Sequence, residues 1–131
     1  MQVKDKRVVV TGAASGIGKA LSVAFHNAGA QSVVAVDMNI DGAEETAKDV
    51  NGIAVEANVG QEPDIIRVIE KANELSGGID IFCSNAGIGG VPGFLNVKNE
   101  DWQIYGKSMF CHIYLLQEMF SLKCLIEERV I

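Results

Sequence analysis

Four short apolar runs, each but the last followed by a stretch of helical periodicity, set the pattern of this chain. Val8, Val9 and Val10 are consecutive and β-branched, with no polar alternation, as in a parallel strand buried on both faces. Further strands are predicted over Gln31 to Asp37 (QSVVAVD), over Gly52 to Asn58 (GIAVEAN, alternating through Ile53 and Val55) and over Ile79 to Ser84 (IDIFCS). Between the first two, Ile17, Leu21, Ala24 and Ala28 recur at helical spacing, Phe25 widens the stripe, and Gly29 is placed to end the helix. A second helix is expected from about Gly42 to Val50, opened by Asp41 as its cap with Glu44 three residues on. A third begins at Pro63, buries Ile65, Ile66, Ile69, Ala72 and Leu75, and stops at Ser76-Gly77-Gly78.

The order is therefore βαβαβαβ, without repeat, low-complexity tract or linker. Right-handed crossovers turn it into half of a doubly wound α/β sheet, a Rossmann-like fold of strand order 3-2-1-4 with its ligand crevice at the carboxyl ends of strands one and four. Residues 88 to 98 (IGGVPGFLNVK) read as a loop over that crevice. A last helix is expected from about Asn99 to Glu128, with a break near Ser121. Trp102, Tyr105, Met109, Ile113 and Leu116 share one face of it, a stripe that suits core or subunit contact better than a cofactor.

The chemistry concentrates where the first strand ends, in RVVVTGAASGIG, residues 7 to 18. Gly12 supplies backbone angles closed to other residues, Gly16 lets the main chain approach a ligand, and Gly18 lets helix pack closely on strand. Unpaired N–H groups and the positive end of a helix dipole then point at one spot, suited to a pyrophosphate. The spacing is Gly-x-x-x-Gly-x-Gly, not the plain G-x-G-x-x-G fingerprint, and an ordinary tight turn is the plainer alternative. Gly18-Lys19 does not make a P-loop, which needs glycine where Ala13 stands and Ser or Thr where Ala20 stands.

Asp37 lies nineteen residues past Gly18, where a dinucleotide fold places the acid that takes the adenosine ribose hydroxyls. A turn or helix-capping aspartate is the alternative. A carboxylate there opposes a 2′ phosphate, and neither Asp37-Met38-Asn39 nor Ala13-Ala14-Ser15 offers a compensating cation, so the expected cofactor is NAD over NADP.

Composition adjusts this picture only at its edges. At 131 residues, 48% hydrophobic, with 14 glycines and two prolines, the chain reads as one globular α/β domain spanning 1–131, too short for a separate substrate domain. A net charge of −6 disfavours nucleic acid and anionic membranes as partners. With no signal-like or membrane-spanning apolar segment, a cytoplasmic setting is expected. Cys83, Cys111 and Cys124 show no C-x-x-C spacing and His26 and His112 are isolated, so neither a disulfide framework nor a metal site is expected.

Thr11-Gly12-Ala13-Ala14-Ser15-Gly16-Ile17-Gly18, Asp37, Asn58-Val59 and Asn85-Ala86-Gly87, in this order and spacing, resemble the short-chain dehydrogenase/reductase family across roughly residues 5 to 118. The resemblance implies that Gly12, Ser15, Gly16, Ile17 and Gly18 hold the pyrophosphate, Asp37 with Met38 the adenosine ribose, and Asn58 with Val59 the adenine edge. Asn85, Ala86 and Gly87 would support the central sheet and line the nicotinamide side. The family usually carries Asp where Asn58 stands, a mild change because an amide both accepts and donates.

The resemblance also implies an NAD-dependent oxidoreductase acting on an alcohol or ketone. The family's catalytic Ser, and its Tyr with a Lys four residues on, are not found: Tyr105 is followed by Met109 and Tyr114 by Glu118. The family's relay asparagine is likewise missing, with Met109 or Ser108 in its place, and the irregular Ile104-Tyr105-Gly106-Lys107 is where a sequence or splice discrepancy could begin. No residue is therefore assigned as catalytic. The expected function is the amino-terminal part of such an enzyme, truncated after about four strands and the following helix. The alternative is an inactive chain that holds NAD or pairs with a full-length relative, and a methyltransferase leaves Asn85-Ala86-Gly87 without a role. Strand four, with Ile79, Ile81 and Phe82, becomes an apolar edge, so a marginal fold or a homo-oligomer is expected.

Overall fold

The computed structural model describes residues 2–88 and 98–106. Its elements run β1 (Arg7–Thr11), α1 (Gly16–Asn27), β2 (Ser32–Asp37), α2 (Ile40–Asp49), β3 (Ile53–Glu56), α3 (Glu62–Ser76), β4 (Ile81–Cys83) and α4 (Asn99–Gly106). The four strands form one parallel sheet in the order β3-β2-β1-β4, as the sequence pattern predicts.

The unbroken valine run has its reason in the layers. Val8 and Val10 face one side with Val33 and Ala35, packed against Leu21 and Phe25 of α1 and Ala47 of α2. Val9 faces the other with Val34, Val36 and Val55, packed against Val68 and Ala72 of α3. A strand covered on both faces has no polar side to alternate with. Burying each valine contributes at most about 1.5–3 kcal/mol, an upper figure because denatured chains already hide some apolar surface.

Two helices are rotated from their predicted stripes. In α1 the sheet side is Gly18 and Ser22, both buried, flanked by half-buried Leu21 and Phe25, while Ile17 is 73% exposed and Ala24 and Ala28 are exposed. The close approach at Gly18 fixes this rotation and leaves Ile17, Ala24 and Ala28 roughly 100° round the helix. In α3 the buried set is Ile65, Val68, Ile69 and Ala72, whereas Ile66 and Leu75 are exposed, and Pro63 is the second helical residue. Gly77 ends α3 at a backbone φ of 76°.

The cap of α2 is Asn39, not Asp41. The Asn39 side chain accepts from the Gly42 N–H at 3.2 Å, and its own N–H is pinned to Asp37 Oδ1 at 3.0 Å, so the helix starts earlier than expected. Asp41 sits instead in the first turn, where its charge complements the helix dipole.

β4 is three residues long, shorter than expected, and is an edge of the sheet among the described residues. Ile79, Ile81 and Phe82 are half-buried against the two core layers. Residues 89 to 97 of the predicted loop and the helix beyond Gly106, with Met109, Ile113 and Leu116, lie outside the described residues, as do Cys111, Cys124 and His112. Within α4, Trp102 is 59% exposed. Among the described residues no helix is long and apolar enough to cross a membrane.

One ion pair ties the start of β1 to the segment leading into β4. Arg7 Nε and Nη2 donate to the two oxygens of Asp80 at 2.8 and 3.0 Å, the Arg7 N–H donates to Oδ2 at 2.9 Å, and Nη1 reaches the Gly77 carbonyl. These hydrogen bonds from Arg7 hold the Asp80 carboxyl well below the usual carboxylate range. A depressed native pKa stabilises the fold above the unfolded value of about 3.9, and that contribution is lost as pH falls below it. The melting temperature of Asp80→Asn should therefore lie below that of the parent chain at neutral pH, with the gap closing below about pH 4; a gap constant down to pH 2.5 would refute the linkage.

Candidate functional site

The carboxyl end of β1 is gripped from every side. Thr11 is fully buried, and its Oγ1 accepts from the N–H groups of Asn85 and Ala86, both at 3.0 Å. Asn85 returns a bond from Nδ2 to the Thr11 carbonyl at 3.1 Å. On the opposite flank, Ala13 donates its N–H to the Val36 carbonyl at 3.1 Å and accepts from buried Thr46 Oγ1 at 2.7 Å. α2 also touches the turn directly, since a Cβ on Gly42 would lie 2.7 Å from the Ala14 Cβ.

Gly12 and Gly18 meet their expected demands in different ways. Gly12 has φ +70°, and a side chain there would lie 2.9 Å from the Ala86 Cα. At Gly18 an added Cβ would overlap the Gly12 carbonyl and approach Asn85 Nδ2 to 2.8 Å, so helix and turn touch backbone to backbone. A Cβ on Gly16 would meet nothing within 4 Å, leaving open space in front of the helix start.

That helix start has donors to spare. Ser15 is the cap residue of α1 but makes no side-chain capping bond, and the first turn carries no acid. The first bond of the helix runs from the Lys19 N–H to the Ser15 carbonyl at 3.2 Å, so no main-chain carbonyl among the described residues takes the N–H groups of Gly16 and Ile17. Lys19 turns away to Asp49 of α2 at 3.1 Å, a position unlike that of a P-loop lysine.

Asp37 stands beside the same turn. Its Oδ2 accepts from the Ala14 N–H at 3.0 Å and its Oδ1 from the Asn39 N–H at 3.0 Å. The acid thus does serve a local turn, the plainer of its two readings. A carboxylate has about four acceptor sites, so two stay free for further donors.

Between these parts runs a cavity of about 500 Å³. Of the predicted residues, Gly12, Asp37, Met38, Asn58, Val59, Ala86 and Gly87 line it. Ser15, Gly16 and Ile17 stand exposed at the start of α1, and Gly18 and Asn85 work from behind, the first as a packing surface and the second as the brace on Thr11. Sequence reasoning missed Ala57, Gly60, Gln61, Ile88 and Ile104 in the lining, and Thr46 and Gly42 as supports of the turn. The Thr46 signal was readable as a polar residue on the apolar side of α2, between Ala43 and Ala47. Among the described residues Asp37 is the one formally charged residue in the lining. Cys83 is half-buried in β4, where burial pushes its thiol above the ordinary value. Among the described residues no group of three metal-ligating side chains comes together.

Thr11→Val keeps the shape but leaves the Ala86 N–H without its acceptor and weakens the hold on Asn85. A fully buried unpaired N–H costs about 1–3 kcal/mol and this half-buried one less, so the denaturation midpoint should fall measurably while Thr11→Ser stays close to the parent chain. Equal midpoints for Val and Ser would show that the brace carries no stability.

Residues 6–123 match the family model described as short chain dehydrogenase. The chain is 35% identical over 107 residues to the 3-oxoacyl-(acyl-carrier-protein) reductase of Thermotoga maritima, covering 78% of this chain and 43% of that protein. It is 41% identical over 98 residues to 1-deoxy-11-beta-hydroxypentalenate dehydrogenase of Streptomyces exfoliatus, covering 71% and 35% respectively. The crystal structure of a 3-ketoacyl-(acyl-carrier-protein) reductase from Brucella melitensis complexed with NADH superposes with a TM-score of 0.83 at 32% identity, covering 89% of this chain and 49% of that one. The chain therefore spans less than half the length of each of these relatives.

Proposed function

Because the chain belongs to the short chain dehydrogenase family, an oxidoreductase family, we propose that its crevice is a dinucleotide site and that the dinucleotide is NAD. The observation that carries this reading is the bond between Asp37 and the Ala14 N–H, which sets an acid with free acceptor sites against a turn with free donors. The main-chain N–H groups at Gly16 and Ile17 would take the diphosphate, with Ser15 and Gly12 beside it and Gly18 seated beneath. The open space in front of Gly16 fits such a group, since it is room that a side chain would otherwise fill. Asp37 and Met38 would hold the adenosine ribose, Asn58 and Val59 the base, and Ala86 and Gly87 the nicotinamide side.

Bound there, the nicotinamide would supply hydride transfer to or from an alcohol or ketone, the substrate class proposed for the whole protein. The residues of this chain bind and orient; none is assigned to move the proton. Alcohol oxidation needs an acceptor for the hydroxyl proton, and a tyrosine of pKa about 10 serves near neutrality only beside an ammonium. No Tyr-x-x-x-Lys occurs in the 131 residues, so the chain alone is proposed to bind without turnover, as one nucleotide-binding domain that pairs with a copy of itself or with a longer relative. The half-buried apolar edge that β4 forms among the described residues favours such pairing.

Titration of the purified chain, followed by nicotinamide fluorescence, should give NADH binding at least about tenfold tighter than NADPH, since a 2′ phosphate would meet the Asp37 carboxylate with no cation lining the crevice among the described residues. Tighter NADPH would defeat the cofactor assignment. In the same samples, alcohol-dependent reduction of NAD should not exceed the blank; turnover above it would show a proton acceptor unlike the tyrosine–lysine pair.

A further inference from the structure

Asn58 sits two residues past the end of β3, on the wall of the crevice, and its orientation is fixed by two bonds. Its main-chain N–H donates to Asp64 Oδ2 at 2.8 Å, and its side-chain oxygen accepts from the Gly60 N–H at 2.9 Å. The second bond decides which end of the amide is which, because a main-chain N–H needs an oxygen and finds nothing to bond in an NH₂ group. The oxygen is thereby engaged with the protein's own backbone, and among the described residues the nitrogen, with two N–H donors, has no partner.

The position of Asn58 follows from the sheet. Asp37 pairs in register with Glu56, so the chain beyond Glu56 continues past the acid at the tip of β2. A ribose held at Asp37 with its diphosphate over the start of α1 directs its base away from α1, against the wall formed by Met38, Ala57, Asn58 and Val59.

We propose that Asn58 reads this base as a donor only, favouring a purine edge that offers an acceptor over one that offers an amine. This rests on the dinucleotide reading above. Adenine carries ring-nitrogen acceptors and an amine at C6. Hypoxanthine carries an oxygen in place of that amine, which the amide of Asn58 can meet equally well or better. A carboxylate at this position would behave in the opposite way: one oxygen would keep the Gly60 N–H, and the other would accept from the amine of adenine.

The test compares NADH with its hypoxanthine analogue, reduced nicotinamide hypoxanthine dinucleotide, titrated into the 131-residue chain with nicotinamide fluorescence as readout. The parent chain should bind the hypoxanthine form at least as tightly as NADH. Asn58→Asp should move the ratio of the two dissociation constants about tenfold toward NADH, and Asn58→Ala should fall between, with melting curves checking that each variant is folded. If Asn58→Asp does not fold, the ratio in the parent chain and in Asn58→Ala decides. A parent chain that binds NADH more tightly than the hypoxanthine form, or a ratio unmoved by the folded variants, overturns the inference while the dinucleotide reading stands. Failure of the parent chain to bind either compound overturns both.

Discussion

The absence of any side chain between the Gly12 carbonyl and Gly18 is the constraint on which the rest of this fold hangs. It lets α1 start directly under the end of β1, which brings the first-turn amides to the tip of the sheet in place of a surface a few ångströms further out. Once that contact is made, the rotation of α1 is fixed, and the turn from Gly12 to Ser15 has only one place to lie. Three separate neighbours then hold it there: Asn85 and Ala86 through Thr11, Thr46 through Ala13, and Asp37 through Ala14. Each neighbour comes from a different part of the sequence. The turn is consequently a product of the whole sheet and not a local motif that carries its own shape.

What was legible in the sequence follows from the same distinction. The strand order could be read because four apolar runs separated by helical spacing have few right-handed solutions, and the valine run because burial on both faces removes alternation. Helix rotation was less legible: Ile17 is apolar and well spaced, yet glycine and serine took the sheet side, since what α1 needs there is proximity. In α3 Ile65, Ile69 and Ala72 are buried as read, but Val68 was passed over for Ile66 and Leu75. The Asp41 and Glu44 pair looked like a capping box, but a cap depends on where the preceding strand releases the chain, and Asp37 pins Asn39 first. In the site, glycines and the strand-end acid announce themselves by type and spacing. Thr46 shows only as a polar residue on an apolar face, without the Ala13 carbonyl it bonds, and Gly42 acts through a packing contact between elements, which spacing does not encode.

Asp37 shows how a structural role and the proposed binding role can share one side chain without conflict. Its two main-chain bonds fix the carboxylate plane, and the sites left over point where the plane dictates. A loop aspartate free to rotate would lose side-chain entropy on meeting a ribose. One already locked by Ala14 and Asn39 loses little, which is how a preorganised contact gains strength over a flexible one. The same bonds couple the two halves of the proposed ligand: displacing the turn would move the diphosphate donors and the ribose acceptor together.

The proposed function asks a chain of net charge −6 to attract an anionic diphosphate. The excess acid lies mostly outside the crevice: Glu44, Glu45 and Asp49 are exposed on α2, and Glu62, Glu70 and Glu74 on α3. At physiological ionic strength charges are screened over about 8 Å, so exposed acids further than that from the bound group act only weakly on it. Within reach, the balance is set by main-chain dipoles. The N-terminus of a helix carries roughly half a positive charge, and its N–H groups bond the oxyanion directly. With no acid in the first turn of α1 to neutralise it, that local field prevails over the distant net charge. In the proposed complex Asp37, the one carboxylate that lines the crevice among the described residues, would face ribose hydroxyls and not phosphate, so a charge unfavourable to phosphate would become the feature that sorts one dinucleotide from the other.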